Sequence, residues 1–265
     1  MISTISLVSL LVFLFGLIIG SFLNVAVYRY RTGYTLGGRS ACLACGKPLA
    51  WYELIPLASF IIQGGKCVKC GARISWQYPL VELGTALAFW GVYRQSLFTH
   101  NDFWILILDA VIWSLLIAIT AYDFRHKIIP NEWVYLFGVA AMTRLVLSDA
   151  DWQWGFVAGV ALFGFFGLLW LMSRGKWMGF GDAKLALGIG FFLGLESSIS
   201  AVVLAFWTGA AAGILLLLVE RLRARAQGAA PKPLLGREIP FAPFLALGVA
   251  LVYFFQLQVI PLFLS

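Results

Sequence analysis

Charge is scarce in this chain. Asp, Glu, Lys and Arg make up 12% of its 265 residues, against roughly 25% in soluble domains, and that deficit excludes an ordinary soluble core. Histidine is almost missing: His100 and His126 are the only two, with no His-Glu-x-x-His run, so a zinc protease of that type is excluded. No basic run precedes the first apolar stretch. The first positive charges, Arg29 and Arg31, come after it, which argues against a signal peptide and places the N-terminus outside. The short alternating segments of a transmembrane β-barrel are also lacking.

What remains is 62% hydrophobic and falls in continuous runs long enough to cross a bilayer as helix, which takes about 20 residues. The runs predict an all-α polytopic membrane protein of about eight transmembrane helices, over 5–27, 79–95, 103–122, 132–148, 153–173, 183–196, 199–219 and 240–262. Lys and Arg test the count. All but Arg94 and Arg144 fall in the first, third, fifth and seventh connections or at their borders, as the positive-inside rule requires if these face the cytoplasm. The last such connection carries Lys232 and Arg237. The connections bearing His100 and Asp102, and Asp149 and Asp151, are then outside, with the C-terminus. The net charge of +7 reads as topology and contact with anionic membrane lipid, and no nucleic-acid motif accompanies it.

The first connection, 28–77, is the one sizeable polar segment, and it holds all four cysteines, as Cys42-x-x-Cys45 and Cys67-x-x-Cys70. Two such knuckles at this separation predict a tetrahedral site that staples a small cytoplasmic domain. Zinc is the first choice, with an iron-sulfur centre, or a site not always filled, as the alternative. A reducing cytoplasm argues against disulfides. With four sulfurs the site is closed and structural. Glu53, between the knuckles, is either a solvated charge or part of a binding surface. Gly16-x-x-x-Gly20 predicts a close helix contact. Ser21 and Asn24 read as interhelical hydrogen-bonding groups or as substrate contacts, while Glu82 and Asp109 are membrane acids with either a structural or a functional use.

Two acids remain. Asp123 ends an inward-running span and Asp182 begins an outward-running one, inside Gly179-Phe180-Gly181-Asp182. Both are therefore expected at the cytoplasmic border. A pair of close carboxylates shares one proton, so the ionised acid can draw a proton from water while the protonated one polarises a peptide carbonyl. Gly179 and Gly181 are expected to supply torsions closed to other residues and to let a substrate strand approach. The competing reading makes Asp182 an N-cap and pairs Asp123 with Arg125 or Lys127. A serine nucleophile has no evident base.

These motifs resemble the type IV prepilin peptidases, Gly-x-Gly-Asp intramembrane aspartyl proteases. The likeness runs through Gly20-Ser21-Phe22-Leu23-Asn24-Val25, both knuckles, Trp51-Tyr52-Glu53-Leu54-Ile55-Pro56, Tyr78-Pro79-Leu80-Val81-Glu82, Asp123 with Ile129-Pro130-Asn131, and Gly179-Phe180-Gly181-Asp182-Ala183-Lys184-Leu185. The resemblance implies Asp123 and Asp182 as the catalytic pair, with Gly179, Gly181 and Lys184 in the active-site loop. It implies prepilins and type II secretion pseudopilins as substrates, cut after a glycine where a basic leader meets an apolar helix. It also implies N-methylation of the new N-terminus with S-adenosylmethionine, with Glu53 as a contributor, in a bacterial inner membrane. The domains would be 1–27, a first helix; 28–77, a four-cysteine zinc domain associated with methyl transfer; and 78–265, the peptidase. Two departures from the family pattern, Tyr30-Arg31 after Arg29 and Ala242 within Pro240-Phe241-Ala242-Pro243, are expected not to touch the acids. The rival classes are an ion-coupled carrier, which would place its acids near the midplane, and a non-catalytic zinc-stapled assembly factor, which would tolerate Asn at both aspartates.

Overall fold

A computed structural model describes residues 2–99, 102–148, 152–226 and 240–259. His100, Asp149, Asp151, Lys232 and Arg237 lie outside the described residues. Among those described, regular structure is helical: α1 (Ile2–Arg29), α2 (Ala58–Ile62), α3 (Gln77–Thr99), α4 (Phe103–His126), α5 (Asn131–Leu147), α6 (Trp152–Ser173), α7 (Phe180–Leu193), α8 (Leu195–Ala226) and α9 (Ala242–Phe255). Four of them, α1, α4, α6 and α8, are long and apolar enough to cross a membrane, and α9 is a shorter apolar helix. The chain is thus a multi-pass membrane protein. At 14 residues and 1.5 Å per residue, α7 is only about 21 Å long.

The chain divides into two units, residues 1–121 and 122–265, with the boundary inside α4. In the first, α1 packs on α3 through the glycines that the sequence singled out. A Cβ on Gly16 would lie 2.6 Å from the Ala86 Cα, and one on Gly20 would lie 2.7 Å from the Glu82 Cα, so only hydrogen fits between the backbones. Asn24, 2% exposed, donates from Nδ2 to the Gly20 and Tyr78 carbonyls, and so takes the interhelical role. Glu82 is used in the same way: its Oε2 accepts the Leu57 N–H at 2.9 Å, which holds Leu57 at a positive φ of 58°. Asp109 is buried within α4.

In the second unit α7 is the central helix, in contact with α5, α6, α8 and α9. Ala183, Leu185, Ala186 and Ile189 have no exposed surface. Its glycines make this possible, since Gly190 meets the backbone of Gly159 on α6 and Gly188 meets the Phe137 ring on α5. Gly190→Leu is therefore expected to force α6 and α7 apart. Overpacking costs about 1–3 kcal/mol when side chains can yield, and a backbone contact yields less, so the variant's thermal midpoint in detergent should fall clearly below that of Gly164→Ser, at an α6 position with open space around it and no positive φ.

Helix ends depart from the expected bounds for local reasons. α4 continues past Asp123 until Lys127 adopts φ 56° and its N–H closes on the Asp123 carbonyl at 2.7 Å, a left-handed stop. Asp123 thus sits inside the last turn. α8 outruns its expected end because Glu220, Arg221, Leu222 and Arg223 are good helix formers with no Gly or Pro among them.

Candidate active site and candidate metal centre

The connection after Asp123 is tied to the start of the helix that carries Asp182. From Lys127 the chain runs through an extended Pro130 into α5, and it is fastened to the first turn of α7 at two points. A Cβ on Gly181 would lie 2.8 Å from the Ile129 Cβ, so the glycine is needed for that approach. One turn on, Lys184 Nζ donates to Asn131 Oδ1 at 2.8 Å and sits over the Tyr135 and Phe180 rings, 5.1 and 5.3 Å from their centroids. Asp182 lies between these two fastenings. Phe180 packs on Trp170 of α6, with ring centroids 5.1 Å apart.

Asp123 is 5% exposed and Asp182 is 7% exposed, and the two lie within electrostatic range of each other. Gly179, not Asp182, is the N-cap of α7. Asp182 stands three residues further on, so the reading of it as an N-cap does not hold. Its Oδ2 folds back beside Gly179, 3.7 Å from where a Cβ there would stand. The expectation that the two glycines supply special torsions is also corrected. Gly179 has an ordinary φ of −75° and neither glycine has a positive φ; what Gly181 supplies is closeness to Ile129.

Asp123 has a partner that the sequence reading missed. Its Oδ2 accepts the backbone N–H of Ala242, the first residue of α9, at 3.3 Å. The departure at Ala242 therefore does touch an acid, through the main chain. A backbone donor has no side-chain signature, and the one available signal was the Pro-Phe-x-Pro turn around it.

The cysteines come together from both knuckles. Their four Sγ atoms lie within 4.8 Å of one another, and Cys42 Sγ is 3.9 Å from Cys70 Sγ. Four thiolates about 2.3 Å from one tetrahedral ion stand about 3.8 Å apart, so the set fits a single ion. The two knuckles repeat one hydrogen-bond pattern: Cys42 N–H to the Lys47 carbonyl and Gly46 N–H to the Cys42 carbonyl, then Cys67 N–H to the Ala72 carbonyl and Gly71 N–H to the Cys67 carbonyl. Gly46 and Gly71 hold φ 68° and 70°, in the left-handed region that favours glycine. The legible signal was Cys-x-x-Cys-Gly, twice. The Cys45 and Ala44 N–H groups bring the Cys42 thiol down to about 6.

Glu53 is not a solvated charge. It is 7% exposed, accepts the Ala50 N–H at 2.8 Å and binds Lys47 Nζ with both oxygens, at 2.9 and 3.0 Å. The Ala50 N–H, and then the Lys47 ammonium, hold its carboxyl below the usual carboxylate range.

Comparison with known proteins joins the two sites. Residues 14–96 match the Bacterial Peptidase A24 N-terminal domain, and residues 110–214 match the Type IV leader peptidase family. A prepilin leader peptidase/N-methyltransferase of Bacillus subtilis is 32% identical over 258 residues, 96% of this chain and 97% of the relative. Proteins of the same description from Pseudomonas aeruginosa and Myxococcus xanthus are 33% and 34% identical. They cover 88% and 80% of this chain, which in turn covers 86% and 64% of them. No solved structure matches the chain. With matches in both halves and relatives aligned over nearly the full length, the chain belongs to the type IV leader peptidase family, that of the bacterial prepilin leader peptidase/N-methyltransferases.

Proposed function

We propose that this protein removes the leader peptide from type IV prepilins and pseudopilins and then methylates the new N-terminal amine. Family membership supports both activities. The observation that carries the proteolytic mechanism is the pair of buried carboxylates, Asp123 and Asp182, held within electrostatic reach of each other. One carboxylate accepts a proton from the attacking water while the other, protonated, donates to the scissile carbonyl oxygen. The proton then passes to the leaving amine, and no covalent intermediate forms. Gly179, Gly181 and Lys184 shape the loop that presents the acids.

In an eight-span arrangement with both termini outside, both acids lie at the cytoplasmic border of a bacterial inner membrane, where a basic leader joins an apolar helix; the four long apolar helices and the shorter α9 support a multi-pass chain. Residues 1–27, 28–77 and 78–265 then serve as first helix, methyltransferase-associated domain and peptidase. Cys42, Cys45, Cys67 and Cys70 hold a structural zinc ion, which the 3.9 Å sulfur separation accommodates. The methyl donor is S-adenosylmethionine.

The test is to incubate the purified full chain, in detergent, with a model prepilin and S-adenosylmethionine, and to weigh the product. The expected product is cut once at the leader border and carries one added methyl. An uncut substrate would overturn the proposal in favour of a carrier or an assembly factor. Glu53 is sorted by a second measurement. If its carboxylate contributes to methyl transfer, Glu53→Gln lowers methylation at unchanged zinc content. If its use is confined to Lys47 and Ala50, the variant instead releases zinc faster to a chelator, and methylation falls only in step with the metal.

A further inference from the structure

The first turn of α9 leaves one backbone donor to account for. A helix begins with N–H groups that have no partner inside it. Here the Phe244 and Leu245 N–H groups return to the Phe241 carbonyl, and Pro243 has none. The Ala242 N–H alone points away, and it meets Asp123 Oδ2. Ala242 has no exposed surface, so this donor is fixed by what surrounds the turn. The anchor is Phe241, whose ring packs against Phe206 of α8 and Phe166 of α6, with centroids 5.1 and 6.1 Å away. Phe166 and Phe206 are themselves stacked, with planes 5° apart. Three helices thus set the position of a single N–H.

We propose that Phe241 is a positioning residue for the hydrolytic reaction: its seat between Phe166 and Phe206 fixes the Ala242 N–H, and that N–H fixes the orientation of the Asp123 carboxylate. The inference rests on the reading of Asp123 as a catalytic acid. Phe241 touches no reacting atom and acts only through the main chain. A carboxylate on a two-torsion side chain, held by one directed bond, keeps one oxygen occupied and offers the other to water. Without the bond the group rotates, and the productive orientation is populated less often.

The experiment uses the full chain and a model prepilin, with kcat and KM measured separately. In one variant the Ala242 amide is replaced by an ester, with lactic acid in place of Ala242, which deletes the N–H and leaves every side chain intact. In another, Phe241→Ala empties the aromatic seat, and Phe241→Tyr refills it. The ester and Phe241→Ala are each expected to lower kcat about tenfold or more, as loss of a hydrogen bond to a charged group does, with KM unchanged. Phe241→Tyr should return most of kcat. Combining the ester with Phe241→Ala should cost no more than either alone, because both act through one bond. An ester variant with wild-type kcat, beside an inactive Asp123→Asn, overturns the positioning role. Additive losses, or a rise in KM with kcat unchanged, overturn it too, since Phe241 would then serve packing alone. An active Asp123→Asn overturns the catalytic reading beneath it instead. The ester keeps the test decisive even if Phe241→Ala fails to fold.

Discussion

Asp182→Asn and Asp123→Asn are each expected to lower kcat for leader cleavage by at least about 10³-fold, within the range a positioned acid or base contributes, while the protein stays as stable as wild type or becomes more so. The two halves of this expectation have one cause. Asparagine has nearly the shape of aspartate and still accepts the Ala242 N–H that now meets Asp123, so the fold around it has no reason to move. What it cannot do is exchange a proton. At Asp182 it also removes a charge from a site that is 7% exposed and lies in the field of a second acid. An arrangement of that kind costs stability and is kept where it serves a reaction. A purely structural acid at the start of α7 would behave in the opposite way. Its interaction with the helix dipole, worth about 0.3–1 kcal/mol, would be lost on substitution, and cleavage would persist. Measuring thermal midpoint and kcat on the same preparations separates the cases. Retained cleavage in either variant would rule out the paired-acid mechanism, and a lowered midpoint with normal cleavage would mark a structural acid.

The parts legible in the sequence were those written in side chains. Two acids beside glycines, and four cysteines in two knuckles, announced themselves by residue type and spacing; the four sulfurs lie within 4.8 Å of one another, and both acids are buried. What the sequence did not disclose was written in the backbone or in distance. Gly181 was assigned to torsional freedom because that is what a lone glycine in a loop suggests, yet its use is to admit Ile129, a neighbour that no local pattern identifies. Glu82 had no evident partner, since the Leu57 N–H that it binds lies 25 residues away and any residue but proline has such a group. Lys184 read as a border charge, and its bond to Asn131 spans 53 residues. Gly16 and Gly20 were the exception among the packing residues, because the small-xxx-small spacing states its own geometry.

Stripping the metal, or changing Cys67 to Ser, is expected to unfold residues 30–76 and reduce methyl transfer to background. Within that stretch Glu53 and Cys67 are the only buried residues. Tyr34, Leu43, Trp51, Ile61, Ile62 and Trp76 are each more than half exposed. A hydrophobic core is absent there, and a single 3₁₀ turn at Trp51–Leu54, the five-residue α2 and two isolated bridges, Ala41 to Pro48 and Lys66 to Arg73, are the regular structure. If the four cysteines hold zinc, such a segment draws its order from the metal. Structural zinc supplies about 10–16 kcal/mol in small peptides, more than these few contacts can replace. The Lys47–Glu53 pair and the Leu57–Glu82 bond would survive only as local remnants. α1 and α3 should stay packed, because Gly16, Gly20 and Asn24 join them without using the cysteines. Under the paired-acid mechanism, peptide cleavage depends on two acids that both belong to residues 122–265, so it should fall less than methylation. Limited proteolysis with and without a strong chelator checks the first point, with new cuts expected between 30 and 76 and none in α1 or α3. The two activities, measured side by side on Cys67→Ser, check the second. If the stripped protein resists protease as well as the loaded one, the metal is not what orders the segment. If both activities fall together, the segment also supports the acids.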